Sequence, residues 1–506
     1  MRIGELLGAL SLATDLATGC PLETTVRTCV LATQIARRLG ITDVAEVRRV
    51  ALLRHLGCTG YAHEAARTTA GDDQDVLRAF AGVDHGVTAV AGRALTRLAR
   101  EATFGKRLVA IVGVLSHPGA REELVSAQCA QAIALARDLR MPPGVVRALG
   151  QIYERHDGRG LPDGVAGEEL ALSARVVHVA ELVEIHHRTG GRDSALAELQ
   201  RRRGKHVAAE VADVVLADPD RYWGVLESPS AWDLYVDEED ADVPGVEVLD
   251  LAIAFGRFAD LKSPSMLGHS TDVAALAAAA ADEGDVTRVR IAGLFHDLGM
   301  VSVPNGIWEK RGALNDAEWE RVRLHAYYTE RILTRTPALA SIASLAGAHH
   351  ERLDGSGYHR GAHAPGLDRA ARLIAVADAY HAMRSPRPHR PAIETTELID
   401  RLATDAREGR LCRRAVDAIL AVAGHRVPRA EWPAGLSARE VEVLVHLARG
   451  LTNKEIASSL NIAVRTANHH VENIYAKTHI TTRAAAALFA VRHDLVTVDP
   501  EPGRAD

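Results

Sequence analysis

The chain has 506 residues, 47% of them hydrophobic, and 60 Lys and Arg against 66 Asp and Glu give a net charge of −6. That length admits two to four domains. The mild acidity excludes a protein that coats nucleic acid along its whole length, so any DNA site must be local. Five scattered cysteines with no CxxC pair (Cys20, Cys29, Cys58, Cys129, Cys412) exclude a disulfide framework or a zinc knuckle and fit a reducing cytoplasm.

The opening stretch MRIGELLGALSLATDLATG carries Glu5 and Asp15 and has no basic stretch ahead of an apolar core, so no signal peptide is expected. No run reaches eighteen uninterrupted apolar residues, so neither a membrane span nor a membrane partner is expected. Aromatics are 4% of the chain. Ala, Leu, Arg and Glu abound, and alternating apolar–polar runs are almost missing, so the expected class is all-α.

A first segment, residues 1–230, contains ALLRHLG (51–57), ERHDGRGLPDG (154–164) and ARVVHVAELVE (174–184). An acidic spacer, 231–245, follows. A second segment, 246–425, contains AGLFHDLG (292–299), ERLDGSGYHRG (351–361) and ARLIAVADAYH (371–381). The glutamates Glu154 and Glu351 and the glycines Gly160 and Gly357 share one offset, 351 − 154 = 357 − 160 = 197. The two segments read as a diverged internal duplication.

A Pro-containing linker, 426–435, leads into a last domain, 436–496. Ser437 with Glu440 and Thr452 with Glu455 have capping-box spacing, flanked by the hydrophobic pairs Leu436/Val441 and Leu451/Ile456. Gly450 suits the end of the first of these helices. A third helix is expected over 464–477, with Ala467, Val471 and Ile474 facing inward and Ala463 at its cap, and TRAAAALFAV makes a short fourth. Two capped helices followed by this third one describe a helix-turn-helix unit that binds duplex DNA.

The last domain resembles the LuxR/NarL-type DNA-binding domain, whose pattern appears as Leu436 to Glu440, Asn453 to Ala457 and Thr466 to His470. The resemblance implies that Arg465, Asn468 and His469 face the major groove and that Thr466, His470 and Lys477 anchor phosphates. It also implies a homodimer reading two half-sites. Seven Arg/Lys against five Asp/Glu between 436 and 496 leave a surplus of only two, so non-specific affinity should be modest. The family usually has Ser where this chain has Ala463.

The second segment gathers His269, His296, Asp297, His325, His349, His350 and Asp378 along predicted helices. Imidazoles and carboxylates brought together by a helical bundle are what a metal pair requires. The ordered set HD…H…HHExxDGxGY…D resembles the HD-GYP group of HD metal-dependent phosphohydrolases. The resemblance implies two divalent transition metals, iron or manganese, and a cyclic dinucleotide or other phosphate ligand. His269, His296, Asp297 and Asp378 would hold one ion. Asp297, His325, His349 and His350 would hold the other, with Asp297 the bridging, catalytic residue. Asp354, Gly357 and Tyr358 would meet the substrate. Arg387 and Arg390, in a stretch that reads equally as a Pro-rich surface turn, would meet its phosphates.

The sequence departs from the group at Met300 (for Lys), at His359 (for Pro) and at Ser265 (for Glu). In the first segment the ligand positions read Thr24, Arg54, His55, Ile152, Tyr153 and Glu181, so that half is expected to fold without metal. Two functional readings lead, ahead of a third, a constitutive DNA-binding protein with purely structural metals. One is a transcription regulator with a phosphohydrolase input module. The other is a pseudo-enzyme that senses a nucleotide and switches DNA binding. The expected architecture is tandem HD-domain helical bundles, the first degenerate, followed by a four-helix LuxR-type helix-turn-helix domain.

Overall fold

The computed structural model describes residues 3–68, 73–80, 105, 120–236, 246–425, 432–493 and 495. Among them it contains α-helices and short 3-10 turns, with three isolated β-bridges and no strand. The all-α expectation is met. The chain divides into two compact units, one of residues 1–274, 290–347 and 385–391, the other of 275–289, 348–384 and 392–506. The expected acidic spacer is helical over Ala231–Val236, and its remainder lies outside the described residues, as do residues 426–431 of the second linker.

In the first unit, helices Ile3–Thr18, Thr24–Arg38, Val44–Leu53 and Leu172–Arg202 bury a core of Leu6, Leu10, Val26, Ile35, Val50, Val177 and Val179. The helix entry of the first half recurs in the second. The Asp15 carboxylate accepts from the backbone N–H (2.9 Å) and hydroxyl (2.6 Å) of Thr25. The Asp260 carboxylate accepts from the same two groups of Ser270, at 3.0 and 2.7 Å. In each case a carboxylate sits at the first turn of a helix, where free N–H groups favour an anion.

This unit also ties the first half to the motif that follows Asp297. Lys262 Nζ lies 2.8 Å from Asp73 Oδ2, both side chains 2% exposed. The other Asp73 oxygen accepts from the backbone N–H of Asn305 at 2.8 Å, and Gln74 donates to the Val301 carbonyl at 3.0 Å. A buried ion pair needs such supplementary hydrogen bonds to offset its desolvation.

A second device is duplicated, with Glu154 in the first unit and Glu351 in the second. Glu154 in the first half accepts from the N–H groups of Asp163 (2.8 Å) and Gly164 (3.1 Å). Glu351 accepts from those of Arg360 (2.7 Å) and Ala362 (2.8 Å). Each glutamate closes a loop over a glycine that can carry no side chain. A Cβ on Gly160 would lie 2.3 Å from Arg155 N, and one on Gly357 2.4 Å from Arg352 N. The internal repeat is therefore structural as well as textual.

The C-terminal domain has its own core, built from Leu436, Val441, Leu444, Leu447, Ile456, Ala467, Val471, Ile474, Ala486 and Ala490. Its helices span Ala438–Ala448, Asn453–Ser459, Val464–Thr478 and Arg483–Arg492. Both expected capping boxes form, Ser437 with Glu440 and Thr452 with Glu455. Gly450, at φ +87°, ends the first helix in the left-handed region open to glycine. Ala463 caps the third helix with no side-chain bond.

Candidate metal centre and nucleic-acid interface

In the first unit three of the expected ligands, His269, His296 and His325, converge on a fourth, Asp297. His269 opens helix His269–Ala279, His296 follows helix Val286–Phe295, and His325 lies inside helix Asp316–Leu333. All are buried. Asp297 Oδ2 lies 3.5 Å from His269 Nε2 and 3.4 Å from His296 Nε2, while Oδ1 lies 3.3 Å from His325 Nε2. The carboxylate thus divides its two oxygens between two sets of imidazoles. Burial alone would raise the Asp297 carboxyl, but the surrounding imidazoles reverse this and hold it well below the usual carboxylate range.

The backbone fixes what the rings present. His296 Nδ1 faces the Gly293 carbonyl at 2.7 Å, and His325 Nδ1 faces the Val322 carbonyl. A carbonyl can only accept, so both Nδ1 atoms carry a proton, and Nε2 is the ring atom turned toward Asp297. His296 Nε2 and His269 Nε2 are 3.2 Å apart. A ring N–H anchored on a backbone carbonyl is the usual support of a metal-bound histidine, because it leaves Nε2 as the ligating atom. His269, His296 and Asp297 offer donor atoms within 4.8 Å of one another. The residues fit a transition metal with nitrogen and oxygen ligands.

In the second unit His349 and Asp378 are buried, and His350 Nδ1 lies 3.7 Å from Asp378 Oδ2. The Tyr358 ring packs on that of His350, centroids 4.7 Å apart. Asp354 accepts from the N–H and hydroxyl of Ser356, at 3.0 and 2.7 Å, and so shapes the loop carrying Gly357 and Tyr358. Arg387 and Arg390, which belong to the first unit, pair backbone to backbone across a tight turn, at 2.8 and 3.0 Å. Arg387 reaches the Met266 sulfur, and Arg390 donates to the Pro391 carbonyl at 3.0 Å. Met300 is buried within the first unit.

The first half replaces this chemistry with an internal cation. The Arg54 side chain, 1% exposed, places Nε 3.4 Å from Glu181 Oε1, and its other nitrogens donate to the Ala51 carbonyl (2.8 Å) and the Thr28 hydroxyl (3.3 Å). His55 Nε2 lies 3.4 Å from the same Glu181 oxygen. Burial would raise Glu181, but Arg54, His55 and His178 together hold it below its ordinary value. Burial pushes His55 down to about 3, so this ring stays neutral. A guanidinium is fixed among three of the positions where the second half has His, Asp and Asp.

On the C-terminal domain Arg465, Thr466, Asn468 and His469 are exposed on one helix, and His470 is half-buried. Lys477 Nζ bonds Glu440 Oε2 at 2.7 Å and the Gly435 carbonyl at 3.1 Å. Its charge is thereby held within the domain, where it steadies the first capping box. The Asn453 side chain donates to Asn468 Oδ1 at 2.7 Å, and Arg483 donates to the Asn453 side-chain oxygen.

Sequence reasoning missed Asp260, the Arg54–Glu181 pair and the Asn453–Arg483 network. Only the first had a usable signal, the ten-residue Asp–Thr/Ser spacing repeated at 260 − 15 = 245.

Comparison with known proteins agrees with both halves of this reading. The HD domain family matches residues 120–211 and 255–412, one stretch in each half, and the family of bacterial regulatory proteins of the luxR type matches 434–490. The 3'3'-cGAMP-specific phosphodiesterase 3 of Vibrio cholerae is 29% identical over 77% of this chain and 88% of its own length. A cyclic di-GMP phosphodiesterase of Thermotoga maritima is 34% identical over 28% of this chain and 40% of its own. The response regulator VraR of Staphylococcus aureus is 40% identical over 13% of this chain and 32% of its own. A crystal structure of a V. cholerae cyclic GMP-AMP-specific phosphodiesterase shares the fold, with a TM-score of 0.57, 23% identity, and coverage of 84% of this chain and 98% of that one. The chain contains HD-domain segments in both halves, the first degenerate, and ends in a DNA-binding domain of the luxR family.

Proposed function

We propose that this chain is a DNA-binding transcription regulator whose input module hydrolyses a cyclic dinucleotide with two divalent metals, iron or manganese. The observation that carries the proposal is Asp297, whose Oδ2 faces His269 and His296 while Oδ1 faces His325. One carboxylate serving two imidazole sets is what a bridged pair of ions needs. His269, His296, Asp297 and Asp378 would hold one ion, and Asp297, His325, His349 and His350 the other. The ions would supply charge against the phosphate and lower the pKa of the attacking water. Gly357 and Tyr358, on the loop shaped by Asp354, would receive the nucleotide, and Arg387 and Arg390 would meet its phosphates.

The relatives' substrates are 3'3'-cGAMP and cyclic di-GMP, so these two are the first to test. The chain would act as a homodimer on two DNA half-sites, with Arg465, Asn468 and His469 at the bases and Thr466, His470 and Lys477 toward the phosphates.

Met300 favours a second reading, since a buried methionine supplies no cation to the phosphate. In that reading the site binds the dinucleotide without cleaving it, and binding alone switches the DNA affinity. Chain purified anaerobically and loaded with iron or manganese would be given each dinucleotide, with products followed by chromatography and duplex binding by fluorescence anisotropy. Cleavage supports the enzyme. Binding that alters DNA affinity without cleavage supports the sensor. Protein that retains no metal refutes both.

A further inference from the structure

Asparagine in the major groove ordinarily reads adenine with both ends of its amide, accepting from N6 and donating to N7. Which end of the Asn468 amide is available here follows from a chain of hydrogen bonds that can run in one direction only. Arg483 lies at the start of helix Arg483–Arg492, and a guanidinium only donates. It donates to the Leu451 carbonyl at 2.6 Å and to the side chain of Asn453, which must therefore turn its oxygen toward Arg483. The NH2 of Asn453 is left facing the recognition helix, and it donates to Asn468 Oδ1 at 2.7 Å. Asn468 is exposed, so its own NH2 is the end that points out. Both amide orientations are fixed by one arginine.

We propose that Arg483 and Asn453 are specificity-determining residues that act through Asn468, presetting it as a donor and selecting guanine at the base it contacts. Guanine offers two neighbouring acceptors in the major groove, N7 and O6, which match an outward NH2. Adenine needs an acceptor that Asn453 already occupies. Thymine offers one acceptor beside a methyl group, a poorer match. The inference rests on the reading that helix Val464–Thr478 enters the major groove and deepens it by naming a base. Arg483 and Asn453 are positioning residues, and neither needs to touch DNA.

The substitution Asn453→Asp reverses the logic. One carboxylate oxygen still receives Arg483, and the other can only accept, so Asn468 must turn its NH2 inward and its oxygen outward. An acid at the first position of helix Asn453–Ser459 suits the helix dipole, so folding should be kept. The full chain would be used to select binding sites from a library of random duplexes, in parallel with Asn468→Ala, Asn453→Asp and Asn453→Ser, each checked for helical content and melting.

The position at which Asn468→Ala loses discrimination identifies the contacted base. Wild type should favour guanine over adenine there by about tenfold or more, the range of a good base contact. Asn453→Asp should shift the preference to adenine or cytosine, whose amino groups donate, and Asn453→Ser should leave guanine and adenine nearly equal. Adenine preferred by the wild type, or an unchanged base in Asn453→Asp, overturns the inference. So does a selected motif that Asn468→Ala leaves intact, and in that case the DNA-binding reading survives. A wild-type chain that enriches no sequence sinks the DNA-binding reading and the inference with it.

Discussion

Replacing Arg54 with Met removes the internal cation of the first half at nearly constant volume. The lost partners are the Glu181 carboxylate at 3.4 Å, the Ala51 carbonyl at 2.8 Å and the Thr28 hydroxyl at 3.3 Å. Breaking a buried pair by removing one partner costs about 3–5 kcal/mol, because the other charge stays desolvated. Glu181 retains 21% exposure and His55 as a neighbour, so the lower end of that range, about 3 kcal/mol, applies.

A chain of two units has no single unfolding free energy, so the assay is local: amide hydrogen exchange in helices Thr24–Arg38 and Leu172–Arg202. At 1.4 kcal/mol per decade, exchange there should quicken about a hundredfold. Adding Glu181→Leu should restore most of the protection, since an apolar pair of similar size needs no counter-charge. Metal content should not move in either variant. Exchange quickened less than about threefold, or a double variant no better than the single, would refute Arg54 as the stand-in for a metal.

Asp297→Ala should reduce bound metal from about two ions per chain to almost none, because a lost bridge empties both sites. Elemental analysis would show this, with His55→Ala as the unaffected control. Ala463→Ser should stabilise the C-terminal domain by about 1 kcal/mol, since the cap now makes no side-chain bond. That is a rise in Tm of about 4–8 °C for a domain of this size. Burial raises the Asp15 carboxyl from 3.8 to about 7. Between those values the folded state holds a proton that the unfolded state has released, so stability from this group is present at low pH and lost as pH rises towards 7. The slope should approach about 1.4 kcal/mol per pH unit. Asp15→Asn keeps an oxygen for Thr25 and should flatten that slope, measured by exchange in helix Thr24–Arg38 at several pH values.

What the sequence determined by itself was whatever depends on neighbours along the chain. The capping boxes at Ser437 and Thr452, the left-handed turn at Gly450 and the inward stripe Ala467, Val471 and Ile474 all follow from spacings of three and four residues, which a helix converts directly into shared faces. The duplication was legible too, because Glu154 and Glu351 close equivalent loops at a fixed offset. The inventory of histidines around Asp297 could be listed from order alone.

Only the tertiary structure decided how those groups face one another. The division of the Asp297 oxygens, the backbone carbonyls that fix the His296 and His325 protons, and the Arg54 guanidinium beside Glu181 depend on helices far apart in sequence. So does Lys477, whose sequence position suggests a phosphate contact while its nearest acceptors are Glu440 and Gly435. Asn468 shows the difference most directly. Its place on an exposed helix face follows from periodicity, but the direction of its amide is set by Asn453, fifteen residues away, and by Arg483 beyond it. Hydrogen-bond direction is settled by whichever partner can only donate or only accept, and that partner is known once the chain has folded.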